Sequence, residues 1–247
     1  MNASPFSLRS LGLAMLAALS VGPLSAATLL LNPTSDNFIR SDNTGSNSNS
    51  NVLLVGGLVS AGGDLRSLLS FDLSSPDLVG ATINSVTLTL RTNDIDTNSA
   101  GGVLQVNLNL LDSNFTETGA TWANSGTGAW TAGGPFSTLL STTSGEVKSE
   151  VGTSFSFASS ANFTSTVTST VSGTGILNLL LKLDTEGGSD RNIFRFTSSE
   201  PNLSGGVTAD FAPLLTIDYT APIPEPAGFA LLGGLAALTA VGCRRRR

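Results

Sequence analysis

The sequence predicts an all-β fold, an antiparallel β-sandwich of jelly-roll type, and three observations carry that expectation. Several segments alternate apolar and polar residues, glycine-rich turns separate them, and residues 28–221 show no i, i+3, i+4 apolar period sustained over three turns. Ser85-Val86-Thr87-Leu88-Thr89-Leu90 alternates strictly, with hydroxyls opposite the aliphatic side chains. Val103, Leu104, Val106, Leu108 and Leu110 form a second such run, with Gln105, Asn107 and Asn109 facing the other way. Asn51–Val55, Leu68–Leu73, Ile193–Phe196 and Leu214–Tyr219 read as further strands, and the nearly continuous apolar run Leu177–Leu183 as one buried on both faces. Turns are expected at Val55-Gly56-Gly57, Ala61-Gly62-Gly63-Asp64, Ser99-Ala100-Gly101-Gly102 and Glu186–Asp190. Thr142–Gly175 is a Ser/Thr-rich stretch whose Ser154–Phe157 reads as a short strand. Its Asn162–Val171 is rich in β-branched residues, which form helices poorly. Periodicity alone does not separate a jelly roll from an immunoglobulin-like sandwich; the jelly roll is preferred.

Composition removes several functions. The 247-residue chain has no histidine and one cysteine, Cys243. A Ser-His-Asp triad, a His-ligated zinc and a disulfide framework therefore all lack their residues. The sequence pI near 4.5 argues against nucleic acid as a partner. Residues 28–221 hold seven basic residues (Arg40, Arg66, Arg91, Lys148, Lys182, Arg191 and Arg195) against 17 acidic ones, a net charge of −10. At 194 residues this segment is long enough to bury a full core without cross-links.

The two ends read as addresses. Residues 1–27 look like a secretory signal peptide: Arg9 precedes the apolar run Leu11–Val21, and Ser25-Ala26-Ala27 offers small residues to signal peptidase, with cleavage expected after Ala27 or Ala26. At the other end Pro224-Glu225-Pro226 precedes the 17-residue apolar stretch Ala227–Cys243 and the arginines Arg244, Arg245, Arg246 and Arg247. As a helix that stretch would span roughly 25 Å, the lower limit for a transmembrane helix, with the arginines held on the cytoplasmic side. The order of these three elements resembles the PEP-CTERM sorting signal of Gram-negative bacteria that secrete exopolysaccharide. That resemblance implies processing by an exosortase and delivery to the cell envelope or extracellular matrix, with membrane anchoring at the C-terminus before processing or permanently.

Between the ends, an ordered set of strings resembles the DNRLRE domain, carbohydrate-binding module family 96. It comprises Asp36–Ser41, Leu53–Gly56, Arg66–Ser74, Gly80–Leu88, Phe115–Trp122, Phe196–Glu200 and Ala212–Tyr219. The literal string DNRLRE is absent, and Asn162–Gly173 stands where the family has an Asp-Val-Thr turn. The resemblance covers residues 35–219 and implies binding of polysaccharides, including uronic-acid polymers, by a module that often stands beside a catalytic domain; no such partner domain is read in this sequence.

Candidate site residues follow from side-chain chemistry. Trp130, in a glycine-rich loop, offers an indole face for a sugar ring, whereas Trp122 reads as core packing. Arg66, Arg40 and Arg191 are able to grip a ligand carboxylate; for Arg66 an internal partner, Asp72 or Glu117, is the preferred reading. Against a net charge of −10, an acidic polymer would need a local cluster of cations. Asp94, Asp96 and Asn98 place oxygen ligands at alternate positions, as a calcium loop does, and Asx turns explain them equally well. The expectation is thus an exported, non-catalytic polysaccharide-binding or matrix protein, with calcium the one cofactor suggested. The alternatives are an adhesive surface protein without a glycan ligand and a carbohydrate-active enzyme using Glu117 or Tyr219.

Overall fold

The alternating segments pair into ladders. The computed structural model describes residues 26–42, 45, 47, 50–58, 63–200 and 211–222. Among these are the strands β1 (Ala26–Leu31), β2 (Ser35–Arg40), β3 (Val52–Leu58), β4 (Gly63–Asp72), β5 (Thr82–Arg91), β6 (Val103–Leu111), β7 (Ala120–Thr121), β8 (Asn124–Ser125), β9 (Phe136–Glu146), β10 (Ser154–Phe157), β11 (Ile176–Leu183), β12 (Asn192–Thr197) and β13 (Leu214–Thr220), and one helix, α1 (Ala161–Ser172). The pro-glutamyl-pro motif, the apolar C-terminal stretch, the arginine cluster and residues 1–25 lie outside the described residues. Among the described residues no helix is long and apolar enough to cross a membrane. Ala26 and Ala27 do belong to β1, paired with Thr220 and Tyr219 of β13.

Two antiparallel sheets form a β-sandwich. The smaller has the order β1-β13-β5-β10. The larger runs β12-β3-β4-β11-β6-β9, with β2 also paired to β4. A sheet with one face on a core and one outside needs period-two alternation, and β5 supplies it: Val86, Leu88 and Leu90 are fully buried between the sheets. From the larger sheet Leu69 and Phe71 of β4, Val106 and Leu108 of β6, and Leu177, Leu179 and Leu181 of β11 meet them in the same cluster. Phe155 of β10 packs edge-on against Phe194 and Phe196 of β12, at 5.3 and 5.2 Å between ring centres.

Three local expectations change. The hydroxyl-rich stretch after β10 contains α1, against the propensity of its β-branched residues. Ser160 caps it, accepting from the Phe163 N–H at 3.0 Å, and Phe163, Val167 and Val171 at i, i+4 and i+8 pack on the core. Burying that stripe outweighs a propensity difference of a few tenths of a kcal/mol per residue. The exposed hydroxyls also turn back onto the helix, Thr168 to the Thr164 carbonyl and Thr170 to the Thr166 carbonyl. Second, Gly56-Gly57 is strand rather than turn: a side chain at Gly56 would meet the Asn192 carbonyl oxygen at 2.1 Å, so the glycine permits close approach of β12. Third, Gly63 and Asp64 likewise begin β4 instead of completing a turn.

Candidate functional site

The face of the larger sheet turned away from the sandwich core is itself half covered. Alternation places Arg66 and Leu68 of β4, Asn178, Leu180 and Lys182 of β11, and Asn107, Asn109 and Leu111 of β6 there, in register across the strands. β9 continues the rows, with Thr142 opposite Asn107, Leu139 opposite Asn109 and Phe136 opposite Leu111. The chain between β6 and β9 folds back over one end of this face. Its hairpin β7–β8 and Phe115 bring Phe115, Ala120, Trp122 and Trp130 onto Ile39, Leu68, Leu111 and Leu180, a second apolar cluster. At the edge of that cover Phe136 and Leu139 stay exposed, about 40% each, beside Gln105 and Thr142, which also face solvent.

Arg66 is the hub where cover and sheet meet. Its guanidinium donates to both Glu186 carboxylate oxygens, at 2.8 and 2.7 Å, and to the Gly133 carbonyl at 2.7 Å. It lies 4.7 Å from the Trp122 ring centre and 5.2 Å from that of Phe136. Lys182 approaches the same Glu186 at 3.3 Å. Side-chain exposure is 11% for Arg66, 15% for Glu186 and 13% for Lys182, so this network is largely dry. Gly133 has φ +83°, and a side chain there would meet the Arg66 Nη1 at 2.3 Å. The expected partners of Arg66, Asp72 and Glu117, are therefore replaced by Glu186, 120 positions along the chain. Asp72 is at the far end of β4, where it accepts from the Ser74 N–H.

The other candidates are dispersed. Trp130 is half-buried, and its indole N–H donates to the Thr121 and Trp122 carbonyls at 3.1 and 3.2 Å; it packs the cover down. Arg40 pairs with Asp42 at 2.9 Å and, by strand alternation, points to the opposite side of β2 from Ile39, the residue paired with Arg66. Arg191 pairs with Asp96 at 2.8 Å and Arg195 with Asp94 at 3.4 Å. Asp94 and Asp96 also accept from the Ile95 and Asn98 N–H groups, the Asx arrangement. Among the described residues no group of three Asp, Glu, Cys or His side chains is arranged to hold a metal ion.

One cluster escapes sequence reading. Asp36 at the start of β2, Glu117 in the cover and Glu200 after β12 converge from three segments. Asp36 is buried and accepts from the Ser199 N–H at 2.6 Å. Desolvation first, then the Glu200 charge, push its carboxyl up to about 7. Glu117 is raised by burial and by Glu200, with which it shares a carboxyl–carboxylate contact. Such a contact is closer than the roughly 5 Å that separates the acids of a retaining glycosidase. The three strings were visible singly, but nothing in the sequence joins them.

Wider concavities exist elsewhere. Grooves of about 670 and 390 Å³ flank α1, lined almost wholly by hydroxyl-bearing and small residues such as Ser165, Thr168 and Ser169. They offer no aromatic ring and no charge, so size alone does not make them the better sugar site. A cavity of about 260 Å³ lies against the 185–190 loop that carries Glu186.

A family model of carbohydrate-binding module family 96 matches residues 27–134. The matched segment runs from β1 to the end of the cover and holds Arg66, Trp122 and Trp130, so this part of the chain is similar to a carbohydrate-binding module. No curated protein matches the sequence.

Proposed function

We propose that the chain binds polysaccharide through the outer face of the larger sheet, at the ledge formed by Phe136, Leu139 and the edge of Trp122, beside the Gln105 amide and the Thr142 hydroxyl. One observation carries this reading: just beyond a segment similar to a carbohydrate-binding module, the solvent-facing Phe136 ring stands next to the exposed Gln105 and Thr142 on adjacent strands. Sugar rings present C–H faces to aromatic rings and hydroxyls to amides, and this ledge provides both. The role is binding without catalysis, because the carboxylates of the ledge are held in ion pairs and hydrogen bonds. Ordered by chain position, the eight main strands β1, β4, β5, β6, β9, β10, β11 and β13 give the orders 1-8-3-6 and 2-7-4-5, which supports the jelly-roll reading.

The termini complete the proposal. Export by the N-terminal signal, sorting by the pro-glutamyl-pro tail and exosortase, and residence in the envelope or matrix rest on the sequence features of the two ends. Affinity electrophoresis of the full chain in gels containing soluble polysaccharides tests the binding role. Retardation that Phe136→Ala weakens at least several-fold is the expected result; mobility unchanged by every polysaccharide would overturn it.

A further inference from the structure

The described residues include all seven cations between positions 28 and 221, and the fold engages six of them internally. Five are ion-paired: Arg40 with Asp42, Arg66 and Lys182 with Glu186, Arg191 with Asp96, and Arg195 with Asp94. Arg91 lies over the Phe211 ring at 5.5 Å and donates to the Gly152 carbonyl. Lys148 is exposed in a segment flanked by Glu146 and Glu150. At the ledge itself Arg66 and Lys182 face three carboxylates. Glu186 takes both cations, Asp64 accepts from the Gly187 N–H at 3.0 Å, and Asp184 accepts from Asn107 Nδ2 at 2.9 Å. The local balance is negative, and it sits in a domain of net charge −10.

Resting on the polysaccharide-binding reading above, we infer that Glu186 makes the ledge selective for neutral glycans by occupying the guanidinium and ammonium that would otherwise receive a ligand carboxylate. The Arg66 fork already has the planar, two-oxygen partner it is shaped for. A glycan carboxylate would have to displace a covalently tethered, nearly dry one, and would approach through a repulsive field. A neutral sugar meets neither obstacle: it needs the Phe136 ring and the exposed Gln105 amide and Thr142 hydroxyl beside it. Glu186 is thus a specificity-determining residue, acting by what it excludes.

The test is affinity electrophoresis of the full chain against neutral polymers (xyloglucan, galactomannan, soluble β-1,3-glucan, dextran) and the uronates alginate and polygalacturonate, in 20 mM and 500 mM NaCl. The wild type is expected to be retarded by at least one neutral polymer, equally at both salt concentrations, and by neither uronate. Glu186→Gln, checked for folding by its near-ultraviolet circular dichroism, should gain at least tenfold in affinity for a uronate, and high salt should abolish that gain. Salt-sensitive retardation of the wild type by a uronate overturns the selectivity while leaving sugar binding intact, as does a folded Glu186→Gln that gains nothing. Absence of retardation by every polymer overturns sugar binding and the selectivity with it.

Discussion

The outer faces of the two sheets are built on different principles. On the smaller sheet the face is mostly short hydroxyls, with Asp218, Arg91 and the exposed Leu30 among them. Thr28 and Ser85 both donate to Asp218, at 2.7 Å each, and the hydrogen bonds holds Asp218 below the usual carboxylate range. Among the described residues this face carries no counterpart of the second apolar cluster, and at one end the Phe211 ring lies over Arg91. On the larger sheet the corresponding face carries aliphatic residues, amides and two cations, and 24 residues between β6 and β9 fold over part of it. An apolar face cannot be left to water, so the cover follows from Ile39, Leu68, Leu111 and Leu180 pointing outward. What the difference teaches is that the cover creates the ledge: its edge is where aromatic surface and solvent meet.

The comparison breaks first at its hub. Arg66→Ala should destabilise the protein by about 3–5 kcal/mol, because Glu186 loses its fork and Trp122 its stacked cation. Urea denaturation measures this, and Asp218→Asn, on the exposed hydroxyl face, should be indistinguishable from wild type in the same experiment.

A smaller effect is one of pH. Asp36 has its carboxyl near 7 in the fold against 3.8 when free, so the folded state binds the extra proton between those values. Stability therefore falls as pH rises from about 4 to about 7, by roughly 2–4 kcal/mol, and the raised Glu117 adds in the same direction. Melting temperatures at pH 5 and pH 8 should show the loss, and Asp36→Asn should flatten it. The lowered carboxyls Asp42, Asp72 and Asp218 act oppositely, only as pH falls below their ordinary range.

Gly133→Ala sharpens the same contrast by pressing the cover off Arg66, at a cost of about 1–3 kcal/mol. A Trp122 fluorescence change at unchanged far-ultraviolet circular dichroism would report it. Least of all, Ser160→Ala removes the cap of α1 for about 1 kcal/mol, read as a small shift of the urea midpoint, without touching either outer face.

The sequence carried the sandwich because strand alternation is local. Val86, Leu88 and Leu90 announce their buried face, and Leu177–Leu183 its double burial, without any knowledge of partners. Helix α1 was illegible because its stripe is only Phe163, Val167 and Val171, while nine of its twelve positions are neither large nor aliphatic enough to show a period. Gly56-Gly57 read as a turn because glycine marks turns and close strand approach alike. The site was the least legible part. Arg66 was legible as an arginine in need of an internal carboxylate, but Asp72 and Glu117 were the expected partners, and the actual one, Glu186, lies across the fold in a Gly/Ser/Asp loop that looks like simple punctuation. The meeting of Asp36, Glu117 and Glu200 is likewise a product of topology and not of spacing.

The most direct test sets one face against the other. The apparent Kd of the full chain for its best neutral polysaccharide would be measured for Phe136→Ala, Gln105→Ala on the larger sheet and for Thr87→Ala, Thr216→Ala on the smaller. A loss of at least tenfold for the first pair, with the second pair matching wild type, is the predicted result. Equal losses, or a loss confined to the hydroxyl face, would contradict it.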